Sequence, residues 1–189
     1  MNGTTGGPVI LPFRGIEPKV DPSAFLAPTS VVAGDVEIGA DSSVWFQAVI
    51  RGDVNRIRIG KRTNIQDLVM VHVTWQTGPT TIGDDVTLGH GAVIHAATIR
   101  DRTLVGMRAV VLDGAEVGPD SIVGAGAVVP PGMRIPPGMV AMGVPAKVVR
   151  PVTDADRKMI LELGRRYLEN TTPGYREPSS SSSASRSSR

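Results

Sequence analysis

Three histidines, His72, His90 and His95, are the only ones in the 189-residue chain, and they fall within 24 residues of one another. Neutral imidazole is a common ligand for zinc and similar divalent ions. Three protein ligands with a fourth position left to water make an open, catalytic zinc site, whereas structural zinc is closed by four. The chain has no cysteine, so thiolate ligands and disulfides are excluded. Three imidazoles suit Zn2+, with Fe2+ or Co2+ as alternatives. Scattered histidines can equally be ordinary polar residues, so the elements that position them decide the matter.

Those elements show a fixed period. Aliphatic residues recur six apart at Val32, Ile38, Val44 and Ile50, again at Ile59, Ile65 and Val71, again at Ile82, Leu88 and Ile94, and then from Ile99 through Val105, Val111, Val117 and Val123 to Val129. Glycine often follows, as in Ile59-Gly60, Ile82-Gly83 and Leu88-Gly89. Six residues rotate an α-helix by about 600°, so no helix face holds this pattern. Short strands separated by tight turns do hold it: each hexad makes one flat face and the aliphatic residue points inward. The spacing predicts a parallel β-helix over about 20–150 and inward side chains at Val32, Ile38, Ile65, Leu88, Val105, Val111, Val117 and Val123.

The phase slips three times, between Ile50 and Ile59, between Val71 and Ile82, and between Ile94 and Ile99. The first slip follows Arg51-Gly52-Asp53 and the other two flank histidines. Sites are often built where a regular scaffold is locally broken.

The ends behave differently. Residues 1–19 form an N-terminal extension expected to be loosely held at its start. Thr153 is placed as an N-cap with Asp156 three residues on. Met159, Ile160, Leu163, Tyr167 and Leu168 then form a stripe at helical spacing, which predicts one C-terminal α-helix over 151–172. The Ser-rich stretch 173–189 is of low complexity and expected to be disordered.

The formal charge of +2 and pI near 9.3 come from that tail, where Arg176, Arg186 and Arg189 face one Glu177. The body is neutral and carries two Trp, two Tyr and three Phe, which argues against a nucleic-acid interface. No run of 18 apolar residues and no secretory pattern is visible, so a cytoplasmic protein that does not span a membrane is expected.

Taken together, the hexapeptide repeat, the Arg51-Gly52-Asp53 triplet, the Asn64-Ile65-Gln66-Asp67 run and the three histidines resemble the γ-class carbonic anhydrases of the hexapeptide-repeat superfamily. The likeness covers about residues 12–168. It implies a left-handed parallel β-helix, all-β apart from the C-terminal helix, and a homotrimer. It also implies one metal between adjacent subunits, held by His72 and His95 of one and His90 of its neighbour. The repeat phase agrees with that split, because His72 and His95 each follow an inward aliphatic residue by one position and His90 follows Leu88 by two. The implied reaction is reversible hydration of carbon dioxide to bicarbonate by a metal-bound hydroxide. Gln66 would orient that hydroxide. Arg51 and Asp53 would pair at the subunit interface, with Arg51 available to bicarbonate. Asn64 and Asp67 would be supporting or turn groups.

The chain departs from the family pattern in two places. Val54 stands where a glutamate is expected after the Arg-Gly-Asp, and the loop 74–81 has no acidic residue. Those carboxylates would export protons. Two other functions are compatible with parts of the pattern. Gly143-Val144-Pro145-Ala146-Lys147 resembles a signature of hexapeptide-repeat acyltransferases dependent on acyl-CoA. A non-catalytic, metal-binding trimeric scaffold would use the repeat and the histidines equally well.

Overall fold

The computed structural model describes residues 6–176, and over them the chain winds into an all-β parallel β-helix with a C-terminal helical segment. The predicted period holds. Three columns of aliphatic side chains, one per face of a triangular prism, run through the interior. On the first face Val32, Ile50, Val71, Ile94, Val111 and Val129 are register neighbours. On the second they are Ile38, Ile59, Ile82, Ile99, Val117 and Ile135. On the third they are Val44, Ile65, Leu88, Val105, Val123 and Ala141. Every one of these side chains is buried, including all eight predicted to point inward. Full burial of each Val, Ile or Leu is worth about 1.5–3 kcal/mol, and stacking coil on coil supplies it without a second layer.

The edges of the prism explain the rest of the hexad. Backbones of successive coils approach closely there. A Cβ at Gly60 would lie 2.6 Å from the carbonyl carbon of Gly83, so the residue after the inward aliphatic must be glycine at this point. Along the edge between the second and third faces, left-handed residues stack as Asp41, Arg62, Asp85, Arg102 and Asp120. Arg62 grips Asp85 with two hydrogen bonds of 2.7 Å, and Arg102 grips Asp120 at 2.8 and 3.0 Å.

The three phase slips all fall on one edge, between the first and second faces. Strand Val49–Ile59 carries the first slip around the corner. The second is the loop between Met70–His72 and Thr80–Ile82, and the third is the tightened turn between Val93–His95 and Thr98–Ile99. The interrupted coils therefore lie one above another.

The ends differ from expectation. Strand Val9–Leu11 pairs in parallel with 31–33, and Lys19–Val20 with 37–38, so sheet pairing begins inside the expected N-terminal extension. At the other end the helix Asp154–Arg166 continues through a wider turn, Tyr167–Thr171, into Thr172–Arg176. It thus runs four residues past the expected stop at 172. The remainder of the Ser-rich stretch, 177–189, lies outside the described residues. Thr153 caps the helix and Asp156 returns the bond in a capping box. Ile160 packs on Ile122, Val140 and Val152 of the third face, and Tyr167 on the Phe25–Trp45 cluster. Met159 faces outward, because the helix lies on the prism by a narrower stripe than the apolar spacing suggested. Among the described residues no helix is long and apolar enough to cross a membrane.

Candidate metal centre

The interrupted edge gathers four of the six residues singled out above. His72 and His95 end strands Met70–His72 and Val93–His95 and are register partners. Because Val71 and Ile94 point inward, the residues one step on point outward, and both imidazoles emerge at the edge. The 51–56 excursion brings Arg51 and Asp53 to the same place. Gly52 permits this bend, since a Cβ there would lie 2.6 Å from the Asp35 carbonyl oxygen.

The side chains form one continuous chain of contacts. Arg51 pairs with one oxygen of Asp53 within the chain. The other oxygen of Asp53 lies 3.1 Å from His72 Nε2. His72 Nδ1 faces His95 Nε2 at 3.2 Å. His95 Nδ1 lies 2.7 Å from Asp113 Oδ1, and Asp113 Oδ2 accepts from the Thr74 hydroxyl.

Protonation follows from the environment of each group. Burial pushes the Asp53 carboxyl up, but hydrogen bonds from His72 and Arg51 outweigh it and hold it below the ordinary carboxylate range. The Thr74 hydroxyl, with help from His95, holds Asp113 low against the effect of burial. Burial also pushes His72 below its ordinary value, against the attraction of Asp53. Burial favours the neutral form of His72, which then donates from Nε2 to an ionised Asp53, and the ionised Asp113 offers Oδ1 as the acceptor for a His95 Nδ1–H.

The remaining nitrogens, His72 Nδ1 and His95 Nε2, face each other at 3.2 Å, and when both rings are neutral each presents a lone pair there. A proton on one of them or a cation beside both satisfies such a pair. At zinc–nitrogen distances of 2.0–2.1 Å, neighbouring nitrogens on a tetrahedral ion lie about 3.3–3.4 Å apart. The pair fits a divalent ion, and each imidazole already carries the outer carboxylate that ligating histidines commonly have.

His90 and Gln66 stand elsewhere. They occupy the edge between the third and first faces, at the far end of the flat strand that leads to His95. Five residues span at most ~17 Å, and an extended face separates His90 from the pair. Among the described residues no three histidines or carboxylates converge on one metal position. His90 Nδ1 lies 2.8 Å from Asp67 Oδ2, and the His90 amide donates to Gln66 Oε1 at 3.1 Å. Gln66 is buried and stands on the His90 edge, not beside His72. The six candidates thus divide into Arg51, Asp53, His72 and His95 on one edge and Gln66 and His90 on another.

Asp113 and Thr74 were missed by motif reasoning. Asp113 lies 18 residues after His95, one regular coil, and that spacing was the available signal. Thr74 had none, because it sits in an irregular loop.

Comparison with known proteins accords with this architecture. Residues 96–131 match the family model described as bacterial transferase hexapeptide (six repeats), and residues 79–102 match the hexapeptide repeat of succinyl-transferase. The chain is 47% identical over 161 residues to a Geobacillus kaustophilus protein named carbonic anhydrase, covering 85% of this chain and 88% of that one. It is 46% identical over 156 residues to the Arabidopsis thaliana protein named gamma carbonic anhydrase 2, mitochondrial, covering 80% of this chain and 56% of that longer relative. The crystal structure of a hexapeptide transferase family protein from Anaplasma phagocytophilum superposes with a TM-score of 0.84 at 36% identity, covering 88% of this chain and 98% of that one. The repeat, the paired histidines and these relatives together place the chain in the γ-class carbonic anhydrase-like family of hexapeptide-repeat proteins.

Proposed function

We propose that the protein binds one divalent metal ion per site, Zn2+ in the first instance, and catalyses the reversible hydration of carbon dioxide to bicarbonate. The observation that carries this reading is the facing pair of imidazole nitrogens, 3.2 Å apart, each imidazole backed by a carboxylate. When bound, such an ion supplies Lewis acidity that brings the ionisation of water to about neutral pH.

One chain offers two ligands on one edge and His90 on another, so the third ligand is assigned to a second copy. A contact between two different edges is heterologous and closes a ring when its rotation allows, and the likeness to the γ-class carbonic anhydrases assigns three copies to that ring. His90 then arrives with Gln66, whose buried amide NH2 serves as a fixed hydrogen-bond donor toward the reacting oxygen. Arg51 offers a guanidinium suited to the planar bicarbonate, and its pairing with Asp53 holds it in place. Asp53 and Asp113 keep the two imidazoles in the tautomers that turn lone pairs toward the ion.

A second reading draws on a groove of about 380 Å3 beneath the C-terminal helix. Leu104, Met107, Ile122, Leu163 and Tyr167 line it, and Gln66 and His90 stand at one end. An apolar groove ending at a histidine beside a carboxylate would suit an acyl donor, with His90 as base. The deciding experiment is stopped-flow carbon dioxide hydration on protein of measured metal content, beside acetyl-CoA binding by calorimetry. Hydration above background that falls with metal removal supports the anhydrase. Acetyl-CoA binding with no dependence on metal replaces it with the acyltransferase. Stoichiometric metal with neither activity leaves a metal-binding scaffold.

A further inference from the structure

We infer that Asp113 is a positioning residue that fixes the tautomer of His95, and that the loop 74–81 holds Asp113 in place through Thr74. The consequence for ion binding rests on the metal reading above. The tautomer itself is a property of the metal-free chain.

The geometry is specific on both oxygens of the carboxylate. Oδ1 takes the His95 Nδ1–H at 2.7 Å, and Oδ2 takes the Thr74 hydroxyl. Donors on both oxygens leave the carboxylate no free rotation about its last bond. An unclamped carboxylate as exposed as this one, at 45%, would contribute little by charge alone. Here its use is directional. A neutral imidazole carries one N–H, and whichever nitrogen donates leaves the other as the acceptor. With Nδ1–H committed to Asp113, the Nε2 lone pair must face His72.

Thr74 is pinned in turn. Its amide donates to the Gly78 carbonyl at 2.9 Å, which closes the loop on itself. Its carbonyl accepts from Asn55 Nδ2 at 3.2 Å, from the 51–56 excursion. At the loop's other end the buried Thr80 hydroxyl donates to the His72 carbonyl at 2.5 Å. The loop therefore touches both halves of the pair: Thr80 holds the backbone of His72, and Thr74 reaches His95 through Asp113. The eleven-residue gap between Val71 and Ile82 has a structural purpose, although the loop carries no acidic residue of its own.

The test uses the full chain, whose three histidines make imidazole 15N–1H spectra readily assignable. In the metal-free wild type His95 should appear protonated on Nδ1. Asp113→Ala should release that preference, Asp113→Asn should restore it in part because the amide oxygen still accepts, and Thr74→Val should weaken it. His72 should keep its proton on Nε2, held by Asp53, while its Nδ1 signal shifts as that nitrogen gains the His95 Nε2–H. Zn2+ titration against a competing chelator should then show about 10- to 100-fold weaker binding in Asp113→Ala, the loss typical when a partner behind a ligating histidine is removed. Urea midpoints check that both the Asp113 and Thr74 variants remain folded. A His95 tautomer unchanged in Asp113→Ala, or a Zn2+ affinity of Asp113→Ala equal to that of a wild type that binds the ion, overturns the inference. A tautomer that shifts in a protein that takes up no Zn2+ upholds the positioning role and removes the metal reading alone.

Discussion

Replacing His90 by alanine isolates the two halves of the proposed centre. The substitution leaves His72 and His95 with their nitrogens 3.2 Å apart and both carboxylates in place. It also keeps the backbone N–H that bonds Gln66, so the buried amide stays where it is. The side chain is half exposed, and its loss opens no cavity. Besides ligation it removes only the half-exposed contact of His90 Nδ1 with Asp67 Oδ2, and surface pairs of that kind contribute about 0–1 kcal/mol. Four-ligand zinc sites in peptides gain about 10–16 kcal/mol on binding, so one ligand accounts for about 2.5–4 kcal/mol. At 1.36 kcal/mol per decade this corresponds to roughly a 100- to 1,000-fold loss of affinity. The assay is Zn2+ titration against a chromogenic chelator, with light scattering on the same samples. The wild type should scatter as a trimer, and metal should stabilise that assembly because it binds only where two copies meet. His90→Ala should bind weakly and lose that link. A variant that holds Zn2+ as tightly as the wild type, or a monomer with stoichiometric Zn2+, refutes the division of ligands between copies.

Other perturbations test the scaffold and its charges. Ile65→Ala removes a fully buried side chain stacked between Val44 and Leu88, and should lower stability by about 2–5 kcal/mol in urea unfolding. Thr87→Val replaces a buried hydroxyl that has no hydrogen-bond partner among the described residues, and should raise stability by about 1 kcal/mol; a lower urea midpoint would show that the hydroxyl is in fact bonded. Thr153→Ala removes the helix cap and should cost about 1 kcal/mol, read as lost helicity at 222 nm on mild heating. Asp53 and Asp113 have folded pKa values below the unfolded value of about 3.9, so the stability they add is present above that pH and is lost as pH falls through their lowered values. Asp53→Asn should therefore flatten the acid side of the stability profile as pH falls below about 3.9, and an unchanged slope would count against the pairing.

The fold was legible because its signal is long and redundant. One aliphatic residue in six, repeated from Val32 to Val129, admits neither a helix nor an alternating strand, and the inward columns follow from that phase. The helix was legible from Thr153 and Asp156, although its continuation as far as Arg176 was not, since the wider turn after Arg166 is accompanied by packing of Tyr167 and Tyr175 on Trp45. Met159, at one margin of the apolar stripe, lies exposed because a helix on a flat sheet face buries only the narrow stripe around Ile160.

The chemistry divides in the same way. Three histidines and no cysteine define what kind of ion the chain can hold, and the position of each within its hexad tells which prism edge it occupies. Those are properties of residue type and of phase inside one coil, and the sequence by itself determined them. Contacts between coils depend on coil length, and length varies at the interrupted edge. His72 meets His95 across 23 residues, and His95 meets Asp113 across 18. Only the stacked tertiary structure decided that Asp53 and Asp113 lie behind the two imidazoles, that Thr74 clamps Asp113, and that Gln66 travels with His90. The physical reason is that a lone pair's direction is set by the partner on the opposite ring nitrogen, and that partner comes from another coil.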